Sequence, residues 1–144
     1  MQTHLFNQID IDPQNTHLPA CSDGQNPRLV GQDYEQRIAA AGGIDLQILG
    51  IGSNGHIGFN EPTSSLASRT RLKTLTAQTM ADNSRLFQPE EVQPTMAMTM
   101  GIATIMQARY VLLLATGRAK AAAVQQMVCG PVSAYCPASV LQFH

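Results

Sequence analysis

Residues 50–62 read Gly-Ile-Gly-Ser-Asn-Gly-His-Ile-Gly-Phe-Asn-Glu-Pro, and they run on directly from a short apolar segment at residues 45–50. A brief apolar run bounded by glycines suits a buried parallel strand better than a half-exposed one. At the carboxyl end of such a strand, α/β sheets place their ligand sites. The glycines at 50, 52, 55 and 58 let the backbone approach a ligand closely or take positive φ. The loop also gathers Asn54, His56 and Glu61 within a short stretch. Folding it back would let a carboxylate orient an imidazole and fix its tautomer. The bland alternative is a glycine-rich turn with a capping His and a surface Glu. The coincidence of His, Glu, Asn and glycines favours a site. A dinucleotide loop does not fit, because Asn60 and Pro62 interrupt the run before any helix. No Gly-Lys-Ser or Gly-Lys-Thr closes a nucleoside-triphosphate loop.

The flanking chain predicts alternating elements. Residues 7–28 carry Pro13, Pro19, Gly24 and Pro27 and read as irregular after a short helix near residues 1–8. Val30, Tyr34 and Ile38 have helical spacing over 29–41, and Gly42-Gly43 stops the helix. Strands are expected at 45–50, 70–76, 95–99 and 108–115, the last as a buried one. Helices are expected at 77–87, 101–107 and 117–128, with another beginning at 137. Strands separated by helices indicate an α/β, Rossmann-like layered fold with a mostly parallel sheet flanked by helices. With only about three strong strands where sheets carry about five, that fold is expected to be incomplete. Its apolar edges should then associate unless covered.

Charge and cysteine content narrow the partners. Nine Lys and Arg against ten Asp and Glu give a net charge of -1, which excludes a polybasic nucleic-acid footprint. The apolar run at 110–115 is far short of the roughly 20 residues that cross a bilayer. Without a basic and apolar leader at the N-terminus, a cytoplasmic protein is expected. Cys21, Cys129 and Cys136 are odd in number and lack a Cys-x-x-Cys pair, so free thiols are expected rather than a disulfide framework or zinc site.

The motif at 50–62 resembles the signature of the glucosamine-6-phosphate deaminase (glucosamine-6-phosphate isomerase) family. The resemblance continues through residues 64–76, Asn83-Ser84-Arg85, Thr99-Met100-Gly101 and residues 115–120 to the end of the chain, and is looser before Gly42. It implies conversion of glucosamine 6-phosphate and water to fructose 6-phosphate and ammonia, with neither organic cofactor nor metal. By motif position, His56 would assist opening of the sugar ring by moving a proton to the ring oxygen, with Asn54 and Glu61 orienting and tuning it. Some members carry Asp at the position of Asn54, so this His loses one neighbouring negative charge. Arg85 and Lys120 match the family's phosphate ligands. Ser64, Arg71, Lys73 and Thr74 match positions that, in the regulated subset, bind N-acetylglucosamine 6-phosphate between subunits of a hexamer. The plain alternatives are a surface ion pair for Arg85, a solvated helix residue for Lys120 and a solvated basic strand edge for the other four.

The resemblance also implies what this chain does not contain. The family's Gly-Gly-Thr-Pro phosphate loop and its Asp-Glu-Tyr segment, whose Asp removes the C2 proton, do not occur in residues 1–144. The chain therefore reads as a single deaminase/isomerase-like domain lacking its N-terminal part and extreme C-terminus, and is expected to be inactive alone. A galactosamine-6-phosphate deaminase/isomerase shares the loop. 6-Phosphogluconolactonase has a similar fold but continues its Gly-His motif without Phe59-Asn60-Glu61-Pro62. A non-catalytic sugar-phosphate-binding fragment is the alternative from a different class.

Overall fold

The computed structural model describes residues 1–144. Helix α1 (Pro27–Ala40) starts where Asn26 caps it, its side-chain oxygen accepting from Arg28 N at 3.0 Å. The proline at the first helical position loses nothing there, since its absent N–H would have had no partner. The chain leaves the helix through Gly42 and Gly43, both at positive φ, and enters β1 (Leu46–Gly50). Then follow β2 (Arg71–Thr74), α2 (Ala77–Asn83), β3 (Met96–Thr99), α3 (Ile102–Ile105), β4 (Tyr110–Leu114) and α4 (Ala121–Cys129). The last segment, Pro137–Phe143, is 3-10 helix.

Strands β1 and β4 pair in parallel, from Leu46 opposite Tyr110 to Gly50 opposite Leu114. This is the parallel sheet flanked by helices of an α/β fold. Beside it stands a separate antiparallel pair, β2 with β3, in which Arg71 faces Thr99 and Thr74 faces Met96. Sequence periodicity located these two strands but not their direction, because both orientations bury the same residues.

The core lies on one face of the parallel pair. Leu49 joins Ile57, Ile102, Ile105, Ala123 of α4 and Ala138 in one buried cluster. The opposite face departs from the expectation of fully buried strands: Leu46, Ile48, Tyr110, Leu112 and Leu114 are between 46% and 71% exposed. Because successive side chains alternate across a strand, α4 and the 137–143 segment cover one set and no element covers the other. No helix is long and apolar enough to cross a membrane.

The antiparallel pair is anchored to α1 through Glu35. One of its carboxylate oxygens accepts from Thr70 N at 2.8 Å, Thr70 Oγ1 at 2.5 Å and Thr104 Oγ1 at 2.6 Å. The other lies 3.6 Å from Arg69. Burial pushes this carboxyl up, but the Thr104 and Thr70 hydrogen bonds and the Arg69 charge prevail and hold it below its ordinary value.

Candidate active site

The loop leaving β1 folds back tightly. Gly52 N donates to His56 O at 2.9 Å and Gly55 N to Gly52 O at 3.0 Å. A Cβ on Gly52 would run into the His56 imidazole, and one on Gly55, whose φ is +81, would meet the Cys136 thiol. These two positions must be bare for the ring to lie against the loop and for the loop to lie against the C-terminal segment. Ala138 N, donating to Gly55 O at 2.9 Å, fastens the same contact.

Further on, buried Asn60 holds the loop to β2 and β3. Its amide donates to Ile57 O at 2.9 Å and to Met100 O at 2.8 Å, while its oxygen accepts from Arg71 at 3.0 Å. Phe59 N donates to Thr99 Oγ1 at 3.0 Å.

Within this frame Asn54, His56 and Glu61 touch one another. Asn54 Nδ2 donates to Glu61 Oε2 at 2.9 Å, and Asn54 Oδ1 accepts from His56 N at 3.2 Å. The reverse amide orientation would set an oxygen against the carboxylate and an NH2 against a backbone N–H, so the network fixes it. His56 Nδ1 lies 2.8 Å from Asn54 Oδ1 and 3.5 Å from Glu61 Oε2. Both neighbours are acceptors, so Nδ1 carries the hydrogen. The lone pair of the neutral ring is therefore on Nε2.

Glu61 is 3% exposed and divides its oxygens. Oε2 faces Asn54 and His56, whereas Oε1 accepts from Thr79 and, at 3.2 Å, from Thr76. Burial raises this carboxyl, but the hydrogen bonds from Thr79 and Asn54, the charge His56 carries once protonated in acid, and Thr76 outweigh it and hold Glu61 below the usual range. For His56, burial lowers the proton affinity below the ordinary imidazole value. Glu61 and Asp82 oppose that trend, and Lys120 adds to it. A neutral ring at pH 7 results.

His56 opens onto a cleft of about 300 Å³ whose walls include Gly50, Gly52, Asp82, Asn83, Arg85 and Lys120. The structure thus brings Arg85 and Lys120 to the same hollow as His56. Arg85 lies in the 3-10 turn Ser84–Leu86 after α2, and Lys120 caps α4 at the end of the turn Arg118–Lys120. A larger hollow of about 510 Å³ lies between residues 16–20 and α1, away from these groups. No group of three or more His, Cys, Asp or Glu side chains is placed to hold a metal. The three cysteines are free.

The remaining predicted residues are divided. Ser64 is buried with its hydroxyl unpartnered. Arg71 turns inward to Asn60, Lys73 follows on the same face of β2, and Thr74 falls on the other. Four contributors were missed by sequence reasoning. Asn60 entered only as part of the motif, and Asp82 lies in the helix expected at 77–87 with no motif to mark it, although it lines the cleft. Thr76 and Thr79 had a signal: a threonine directly before a predicted helix is an N-cap, and Thr76 accepts from Thr79 N at 3.2 Å.

Comparison with known proteins gives this geometry a lineage. The family described as glucosamine-6-phosphate isomerases/6-phosphogluconolactonase matches residues 1–144. The chain belongs to that family. It is 70% identical over 144 residues to a glucosamine-6-phosphate deaminase of Colwellia psychrerythraea, with all of the chain and 54% of the relative covered. It is 67% identical, at the same coverage, to one of Pseudoalteromonas translucida. The chain thus spans about half the length of the curated relatives it matches. A solved monomeric glucosamine-6-phosphate deaminase superposes with a TM-score of 0.91 at 42% identity, covering 96% of this chain and 57% of that one. A 6-phosphogluconolactonase from Trypanosoma cruzi shares the fold alone, at TM-score 0.53 and 20% identity over 82% of this chain and 48% of its own.

Proposed function

We propose that these 144 residues are part of an enzyme that converts glucosamine 6-phosphate and water to fructose 6-phosphate and ammonia. The carrying observation is the His56 imidazole, held through Nδ1 by Asn54 and Glu61, with its Nε2 lone pair uncommitted to either, beside Arg85 and Lys120 in one cleft. The names of the relatives at 70% and 67% identity support the same reading.

Opening a hemiacetal ring moves one proton from the anomeric hydroxyl to the ring oxygen. A neutral imidazole is suited to this shuttle, because Nε2 accepts the proton, the ionised Glu61 stabilises the transient imidazolium through Nδ1, and Nε2 returns the proton to the ring oxygen. Arg85 and Lys120 would take the phosphate through charge-assisted hydrogen bonds and set the sugar's reach. This step needs neither a metal nor an organic cofactor. Removing the C2 proton needs a second base, and residues 1–144 hold no match to the family segment that supplies it. Alone, then, the chain does not deaminate; it contributes one portion of a single cytoplasmic domain.

The test is ammonia release from glucosamine 6-phosphate, with galactosamine 6-phosphate in parallel, by the 144-residue chain and by the complete protein. The complete protein should turn over the gluco substrate and the chain alone should not. In the complete protein, His56→Ala should lower turnover about 10²- to 10⁴-fold with a much smaller change in KM. Unchanged turnover would reject the role of His56.

Regulation by N-acetylglucosamine 6-phosphate within a homo-oligomer is part of the same proposal. Its support is the buried, unpartnered Ser64 hydroxyl together with Arg71 and Lys73 on one face of β2. Thr74, on the opposite face, would have to engage from the backbone. Identical kinetics of the complete protein with and without that effector would remove the idea.

A further inference from the structure

We propose that Thr79 is a positioning residue for Glu61, fixing the rotation of the carboxylate that faces His56 and tying it to the segment that carries Arg85. The inference rests on the reading of His56 and Glu61 as proton-transfer partners, and it asks what decides the orientation and charge of a carboxylate that is almost wholly buried.

On the loop side, Glu61 Oε2 has Asn54 at 2.9 Å and His56 at 3.5 Å. With those partners alone, the other oxygen would be buried without a donor, and the carboxylate could rotate or take up a proton. Oε1 instead receives the Thr79 hydroxyl, with Thr76 Oγ1 at 3.2 Å. Thr79 is itself 2% exposed and belongs to α2. Its hydroxyl hydrogen goes to the carboxylate, since the neighbouring Thr76 hydroxyl, 3.1 Å away, is a donor towards Thr79 Oγ1 rather than its acceptor. A buried hydroxyl committed to a buried carboxylate stabilises the ionised form by direct hydrogen bonding.

The connection has a direction. Thr79 and Asp82 are on α2, Asn83 ends it, and Arg85 follows in the next turn, all four lining the cleft. Thr79 is therefore where the wall bearing the phosphate-side cation meets the carboxylate that holds His56. The charged groups acting on this pair are few: His56 on Glu61, and Glu61, Lys120 and Asp82 on His56. Thr79 carries no charge, so replacing it changes hydrogen bonding without altering that set.

The experiment is a pH titration by NMR of the Glu61 carboxyl and the His56 imidazole in the complete protein, followed with Thr79→Val and Thr79→Ser. Valine keeps the shape and removes the donor. The Glu61 midpoint should rise by about one unit or more in Thr79→Val, and stay at the parent value in Thr79→Ser. Should Thr79→Val fail to fold by its amide spectrum, Thr79→Ala against Thr79→Ser carries the test, with the same rise expected in the former. An unchanged Glu61 midpoint on loss of the hydroxyl overturns the proposal, as does an equal rise in the serine variant. These readouts involve no turnover, so they stand or fall independently of whether His56 opens a sugar ring.

Discussion

Replacing Glu35 by alanine should cost this chain a large part of its stability. Its carboxylate satisfies Thr70 N, the Thr70 hydroxyl and the Thr104 hydroxyl, and Thr70 and Thr104 are 7% and 1% exposed. Truncation leaves at least two of those donors buried without partners, at about 1–3 kcal/mol each. The ion pair to half-exposed Arg69 at 3.6 Å adds little once solvent screening is counted. The expected loss is therefore about 2–6 kcal/mol, against the roughly 5–15 kcal/mol typical of a folded domain. Glu35→Gln separates acceptor from charge, since its amide oxygen still accepts, and it should cost distinctly less. Urea unfolding followed by circular dichroism measures both. A loss below about 1 kcal/mol for Glu35→Ala would refute the reasoning, because it would mean that water reaches Thr70 and Thr104 in the folded chain.

Gly52→Ala should displace the His56 ring, because the new methyl occupies its place. In the complete protein it should lower turnover at least about tenfold, and a shift of the His56 imidazole signals would report the displacement in the 144-residue chain. Acid should destabilise the fold through Glu35 and Glu61. Both carboxyls are depressed below their ordinary value of 4.5, so their contribution is complete above that pH and is lost as pH falls through the lower folded values. His56 acts in the same sense from 6.5 downward, because the unfolded chain binds its proton more readily. Thermal unfolding between pH 7 and 3 should show a falling midpoint, and Glu35→Gln should flatten the lower part of that curve.

The loop after β1 was legible because its chemistry is local: Asn54, His56 and Glu61 are close in sequence, and hydrogen bonds between them follow from the fold-back that the glycines permit. Helix α1 was equally legible, with Pro27 at its start and two glycines beyond its end. What escaped was the non-local part. That β2 and β3 run antiparallel, that Glu35 reaches Thr104, and that Thr79 meets Glu61 are contacts across 18 to 69 residues, set by packing rather than by pattern. The strand burial was misjudged for a related reason. Composition shows that β1 and β4 are apolar on both faces, and cannot show which face the remaining elements of these 144 residues leave bare.

The fastening of Gly55 to Ala138 and Cys136 bears on the order in which the molecule takes shape. A ribosome completes residues 50–62 long before it makes the segment they rest on, and β1 must likewise wait for β4, its partner in register from Tyr110 onward. Closing loops of that length is entropically slow, and parallel pairing offers no hairpin to shorten the path. The imidazole-bearing loop therefore acquires its final geometry only after residues 136–138 have returned to it. Its assembly reports on completion of the core, and slow exchange of the Gly55 and Ala138 amides would be gained together.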